Sequence, residues 1–211
     1  MKKHLFIIGI IGVSLMLSIC SCSTAKIYSA PDAVSLAKQH KIVAVLPTTV
    51  AIAPRKNITN ESNIEQEKNE SLTMQKEVFS WLLEQKRKSK FQAELMDIET
   101  LNAKLKKLGY PANGMSPAEL CEALNVDGII QSGFSYGKIM SEGAAIAMNI
   151  LGGGGNSNEA HGAISIYDAK NKKMIWNYDN TYSGGLTSSP STLVDALMKE
   201  ASKKMPYMQK K

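Results

Sequence analysis

The sequence predicts an α/β fold: a single domain in which one mixed sheet is packed with helices, in the order β-α-β-α-α-β-β-β-α. Three observations predict it. Short aliphatic runs, Ile42-Val-Ala-Val-Leu46 and Val126-Asp-Gly-Ile-Ile130, alternate with longer stretches of helical period. A capping box, Ser116-Pro-Ala-Glu119, opens a helix that leads straight into the second of those runs. Two alternating segments near residues 161–167 and 173–179 flank a polar turn, which is the pattern of a hairpin. The chain has 211 residues, 44% hydrophobic and 21% charged, enough for one ordinary domain plus an export segment.

The chain opens on Met1-Lys-Lys-His4 and continues with an apolar run over residues 5–17, broken only by Ser14. A basic start and an apolar stretch of this length read as a secretory leader, too short for a span of about 20 residues. Its end, Leu17-Ser-Ile-Cys-Ser-Cys22, fits the lipobox pattern of a cysteine after a small residue. Cys22 has Ser21 before it and is the expected lipidated residue. Cys20 follows the bulky Ile19 and fits less well. A leader over 1–21, a lipidated tether over 22–40 and an envelope domain over 41–211 follow from this reading. If residues 23–40 were fully extended, the tether would reach about 60 Å. Acylation at Cys22 and loss of Cys20 would leave Cys121, between Leu120 and Leu124, as a small buried hydrophobe without a disulfide partner. Acylation at Cys20 instead would leave a Cys22–Cys121 bridge open.

Residues 41–51 give the first strand, with Pro47 ending it or marking an edge. A helix follows over 64–88, with Leu72, Phe79, Leu82 and Leu83 on one face, Val78 beside them, and Trp81 as a packing or functional aromatic. Residues 91–98 form a second strand. Leu101, Leu105 and Leu108 define a short helix stopped by Gly109 and Pro111. The capped helix then carries Leu120, Cys121 and Leu124 into strand residues 126–130 and 132–136. An apolar patch over 143–151 abuts Gly152, Gly153, Gly154 and Gly155, a connector or, less specifically, a phosphate cradle without the Lys-Ser/Thr of a P-loop. In the hairpin, Ile164 and Ile166 share one face, and Met174, Trp176 and Tyr178 form a run that packs on the core or meets a partner. The last helix, over 191–204, presents Leu193, Val194, Leu197, Met198 and Ala201 on one side.

Net charge is +6, from 25 basic and 19 acidic residues; without Lys2 and Lys3 the balance is 23 to 19, or +4. That excess is mild and scattered, and no nucleic-acid partner is expected. His40 and His161 have no ligand spacing around them, so no metal and no cofactor are expected. No nucleophile motif is present. Asp127 and His161 remain the residues that a ligand-binding or hydrolytic enzyme would use, although Asp127 equally fits a cap.

Three segments carry a resemblance: Ile42-Val-Ala-Val-Leu-Pro47; Ser116-Pro-Ala-Glu-Leu120 with Leu124-Asn-Val-Asp-Gly-Ile-Ile130; and Tyr167-Asp-Ala-Lys-Asn-Lys-Lys-Met-Ile-Trp176. With them the chain resembles periplasm-facing lipoprotein domains related to the curli-secretion pore subunit, the penicillin-binding-protein activators and the amino-terminal domain of TolB. The resemblance implies a strand, a helix running into a strand, and a hairpin ending in tryptophan. A pore subunit needs two membrane hairpins with strands of about 9–11 residues, and the apolar part of 143–155 is too short for them. An activator of peptidoglycan synthesis needs a long reach, and 23–40 is short. The function expected is therefore a non-enzymatic interaction or assembly component of a cell-envelope complex. Its anchor would be the outer membrane, facing the periplasm. Its partners would be the lipid bilayer, through acylated Cys22, and an envelope protein or further copies of itself. The partner surface expected is Gly152–Gly155 with Trp176.

Overall fold

The computed structural model describes residues 25–52, 59–136, 159–183 and 189–209. The fold is α/β, one mixed sheet with helices on both faces. The strands are β1 (Lys26–Ser29), β2 (Ile42–Val45), β3 (Thr49–Ile52), β4 (Glu94–Leu95), β5 (Gly128–Tyr136), β6 (Glu159–Asp168) and β7 (Lys173–Ser183). Their order across the sheet is β1-β7-β6-β5-β2-β4, with β3 pairing the far half of β5. The β2, β3 and β4 pairings are parallel, and β5, β6, β7 and β1 run antiparallel in turn. The helices are α1 (Ala33–Ala37), α2 (Asn60–Arg87), α3 (Ile98–Lys107), α4 (Pro117–Leu124) and α5 (Pro190–Ser202).

Local chemistry explains most boundaries. Ser116 caps α4 by accepting from the Glu119 N–H, while the Glu119 carboxylate accepts from the Ser116 N–H at 2.7 Å, the reciprocal capping box. Asn125 ends α4 in the left-handed region, at φ 57°, and turns the chain into β5. Asp97 caps α3 and Ser189 caps α5, with Pro190 at the first helical position. Gly109, at φ +74°, follows α3 where a side chain would be strained.

Two apolar layers sandwich the sheet. On one face, Val43, Val45, Ile130, Phe134, Ile164, Ile166, Trp176 and Tyr178 pack under α2, α5 and α1. On the other, Ala44, Leu46 and Ile129 pack under Leu101 and Leu105 of α3 and Leu120, Cys121 and Leu124 of α4. Each such aliphatic side chain taken fully out of water contributes about 1.5–3 kcal/mol. The five apolar residues expected on one side of the last helix are all buried.

Several expectations are corrected. Residues 26–40 are not a tether: β1 pairs with β7, and Ala30, Ala33, Leu36 and Ala37 are buried in the core. The domain therefore begins at β1 and not at residue 41. The run 41–51 is two strands, because Pro47 lacks an N–H for the ladder and the chain shifts at that point from β2 beside β4 to β3 beside the outer half of β5. The third expected strand, over 126–136, starts at Gly128, with Val126 and Asp127 outside it. Strand 91–98 shrinks to Glu94 and Leu95. On α2 the buried face is Met74, Gln75, Val78 and Leu82, which leaves Leu72 and Leu83 partly exposed. Gln75 belongs there because its Nε2 donates to the Val45 carbonyl (2.9 Å) and to Asn102 Oδ1 (3.0 Å), tying α2 to β2 and α3.

Candidate interaction surface

Cys20, Cys22 and Gly152–Gly155 lie outside the described residues. Trp176 is described, and it overturns its place on a partner surface. Its side chain is 0% exposed, stacked near Tyr178 in the layer beneath α2 and α5. Trp176 and Tyr178 mark a core face, because an indole of this size is stabilised most by complete burial. The register shift between Ile166 and Tyr167 takes Met174 out of that alternation, and Ile175 is buried in the layer instead.

Cys121 is buried and free, as expected of a small hydrophobe. Burial, helped by the negative charges of Asp168 and Asp127, pushes its thiol up to about 12. Asp127 spends one carboxylate oxygen on the N–H groups of Lys41 (2.7 Å) and Ile42 (2.9 Å), fixing the start of β2. It acts as a backbone cap, the structural alternative to a catalytic carboxylate.

The strongest polar cluster is one the sequence did not point to. His40 Nε2 lies 2.7 Å from Asp168 Oδ1, and His40 Nδ1 lies 2.5 Å from the Tyr207 hydroxyl. Nε2–H donates to the carboxylate, and a second hydrogen bond joins Nδ1 to the phenol oxygen. The other Asp168 oxygen accepts from the backbone N–H and the side-chain amide of Asn171. Burial acts to raise the Asp168 carboxyl, but the bonds from His40 and Asn171 prevail and hold it below the usual carboxylate range. Burial drives the Tyr207 phenol well above its ordinary value. All three residues are buried, and each polar atom in the chain of bonds is occupied. The cluster thus clamps the start of β2 to the β6–β7 turn and the C-terminal tail, which lie 128 and 167 positions from His40 in sequence. Outside it, a groove of about 510 Å³ runs between α1 and the tail, lined by Val34, Ala37, Lys38, Lys204, Met205 and Tyr207.

A second polar region lies at the other end of the sheet. The apolar layer under α3 and α4 includes Ile129 and Tyr167 and stops there. Beyond it on the same face stand Gln131 and Ser135 of β5, His161 and Ser165 of β6, and Asn177, Asp179 and Thr181 of β7, with Lys26 and Tyr28 of β1 at the edge. Ser165 Oγ donates to Asn177 Oδ1 (2.8 Å), and His161 Nδ1 shares a hydrogen bond with Thr181 Oγ1 (3.0 Å). Ser135 sits directly opposite His161. Its Oγ and the His161 Nε2 are buried without a partner among the described residues. An unpaired buried polar atom costs about 1–3 kcal/mol, so a polar contact gains most here. Burial raises the Asp179 carboxyl, with His161 and Lys26 pulling the other way. The aromatic strand therefore meets solvent with its polar side, Asn177, Asp179 and Thr181, and the core with Trp176. That second alternation was present in the sequence, hidden by the more conspicuous aromatic one.

Among the described residues no group of His, Cys, Asp and Glu could hold a metal ion, and no helix is long and apolar enough to cross a membrane.

These features define an α/β sheet domain with a closed internal clamp and a polar half-face on β5, β6 and β7, on which Thr181 is exposed and Ser135 buried. No family model matches the chain. No curated protein sequence matches it. Among solved structures it is similar to the PelC dodecamer from Paraburkholderia phytofirmans, at 12% identity and a TM-score of 0.45, covering 89% of this chain and 99% of that one. It is similar to the lipoprotein GNA1162 from Neisseria meningitidis, at 13% identity and a TM-score of 0.46, covering 77% and 94%. It is also similar to the LpoB C-terminal domain from Salmonella enterica, at 12% identity and a TM-score of 0.35, covering 68% and 83%. No residue role is carried over from them.

Proposed function

We propose that this chain is a bacterial envelope lipoprotein, anchored through acylated Cys22, that acts as a non-enzymatic interaction or assembly component of a cell-envelope complex. Its membrane is the outer membrane and its domain faces the periplasm. The observation that carries the reading is positional. The segment holding the glycine run joins Tyr136 at the end of β5 to Glu159 at the start of β6, the same end of the sheet at which the polar half-face lies. A recognition segment and a hydrogen-bonding platform then share one site, with Gly152–Gly155 supplying the former and Ser135, His161, Asp179 and Thr181 the latter. The non-enzymatic part is supported by Asp127, which caps β2, and by the closed, buried His40–Asp168–Tyr207 chain of bonds; of His161, the other residue an enzyme would use, one ring nitrogen is bonded to Thr181.

Two measurements test it. Cys22→Ala should abolish lipid labelling and membrane retention, whereas Cys20→Ala should preserve both; a lipid-labelled, membrane-bound Cys22→Ala protein would sink the anchor. Deleting Gly152–Gly155 should remove the crosslinked partner, another envelope protein or a second copy, with little change in unfolding temperature. An unaltered set of crosslinks would remove that segment from the partner surface.

A further inference from the structure

The start of β1 stands very close to the proposed anchor, and this fixes which part of the domain can meet the bilayer. Only four peptide steps separate Cys22 from Lys26, the first residue of β1. Even fully extended, four residues span about 14 Å, against about 60 Å for a tether running to residue 40. The sheet is larger than that leash. From β1 to β4 there are five strand spacings, and from the level of Lys26, opposite Asp179, to the level of Glu94 there are about six residues along the strands. The diagonal from Lys26 to Glu94 is roughly 30 Å.

The β1 edge also has a surface suited to lipid headgroups. It is the last strand in the sheet order, and among the described residues nothing pairs with its outer side. All four of its residues are exposed, including Ile27 (45%) and Tyr28 (49%), which are among the few large apolar side chains in solvent. The pleat directs them to opposite faces of the sheet, so both flank the edge itself. Lys26 adds a cation, and Tyr presents an apolar ring with a polar tip, the combination favoured where headgroups meet acyl chains.

Resting on the anchor at Cys22, we propose that the β1 edge lies against the bilayer surface, with Ile27 and Tyr28 in the headgroup region. The β4 edge, Glu94 included, points away. The polar side chains of β7 next to β1, Asn177 and Asp179, then lie nearer the membrane than β4 does.

The test uses the full acylated protein in vesicles of phosphatidylethanolamine and phosphatidylglycerol that carry a nitroxide on the headgroup. A fluorophore is placed at Ser29→Cys on β1 or at Glu94→Cys on β4; Cys121 is buried and does not compete for label. The intact mass of each preparation reports whether Cys22 carries lipid. With lipid present, the Ser29 probe should be quenched several-fold more than the Glu94 probe, and Ile27→Asp with Tyr28→Asp should lower the Ser29 quenching. Equal quenching, stronger quenching at Glu94, or no response to the Asp pair overturns the docking while the lipid mass keeps the anchor. A mass without lipid and no vesicle binding overturns the anchor, and this orientation with it.

Discussion

Gly128 lies directly against the His40 ring: a methyl group on its Cα would stand 2.5 Å from Nδ1, 2.7 Å from Cε1 and 2.9 Å from the Tyr207 hydroxyl. Glycine is needed here for space, since the backbone of this strand residue is not in the left-handed region. Gly128→Ala should therefore push the imidazole and the phenol apart and break their bond. The expected loss is roughly 2–4 kcal/mol, overpacking plus a buried polar group left unpaired. Urea unfolding measures it, and a loss below about 1 kcal/mol would show that the clamp yields easily.

The same clamp gives the protein an acid limit. Asp168 has a folded-state pKa below its unfolded one, so its stabilisation is fully present above the ordinary carboxylate value near 4 and fades as pH falls through the lower folded value. In that window the unfolded chain binds the proton first, and stability should drop with acidification. Asp168→Asn, which turns an amide N–H₂ or a neutral oxygen toward the Asn171 and His40 donors, should cost roughly 2–4 kcal/mol at neutral pH. It should also flatten the acid slope. Unfolding temperatures of both proteins between pH 3 and 7 decide the matter; parallel slopes would assign the acid loss to other carboxylates.

Much of the fold was readable because it rests on local chemistry. The capping box at Ser116, the left-handed turn at Asn125 and the five-residue stripe of α5 are all set by neighbours within a few positions. The clamp was not readable, because His40, Asp168 and Tyr207 meet only through the closed topology. Nothing in the spacing of Asp127-Gly128 shows that the glycine makes room for a ring 88 positions away. β1 was missed for a related reason. A four-residue edge strand with every side chain exposed carries no hydrophobic pattern, and only its pairing with β7 defines it.

Cys121 supplies a test of the cysteine arithmetic. With its thiol pushed up to about 12 by burial, roughly one part in ten thousand is thiolate at pH 8. The mature folded protein should give almost no reaction with Ellman's reagent, and denaturation in guanidinium without reductant should release a single thiol. Release only after adding reductant would mean that Cys121 is bridged, which requires Cys22 to be free of lipid.

Trp176 and Thr181 lie on one strand and face opposite sides of the sheet, so they separate packing from recognition. Trp176→Phe leaves a void in the layer under α2 and α5 and should cost about 1–3 kcal/mol. It should leave partner crosslinks unchanged, because the indole has no exposed surface. Thr181→Arg places a large cation on the exposed polar half-face and forfeits one hydrogen bond to His161. Its stability should stay within about 1 kcal/mol of the parent. Its crosslinks should nevertheless be lost, since the added guanidinium crowds the partly exposed His161 and Asp179, where a partner would bond. The reverse pattern, with crosslinks sensitive to Trp176→Phe and indifferent to Thr181→Arg, would move the partner surface away from this face of the sheet.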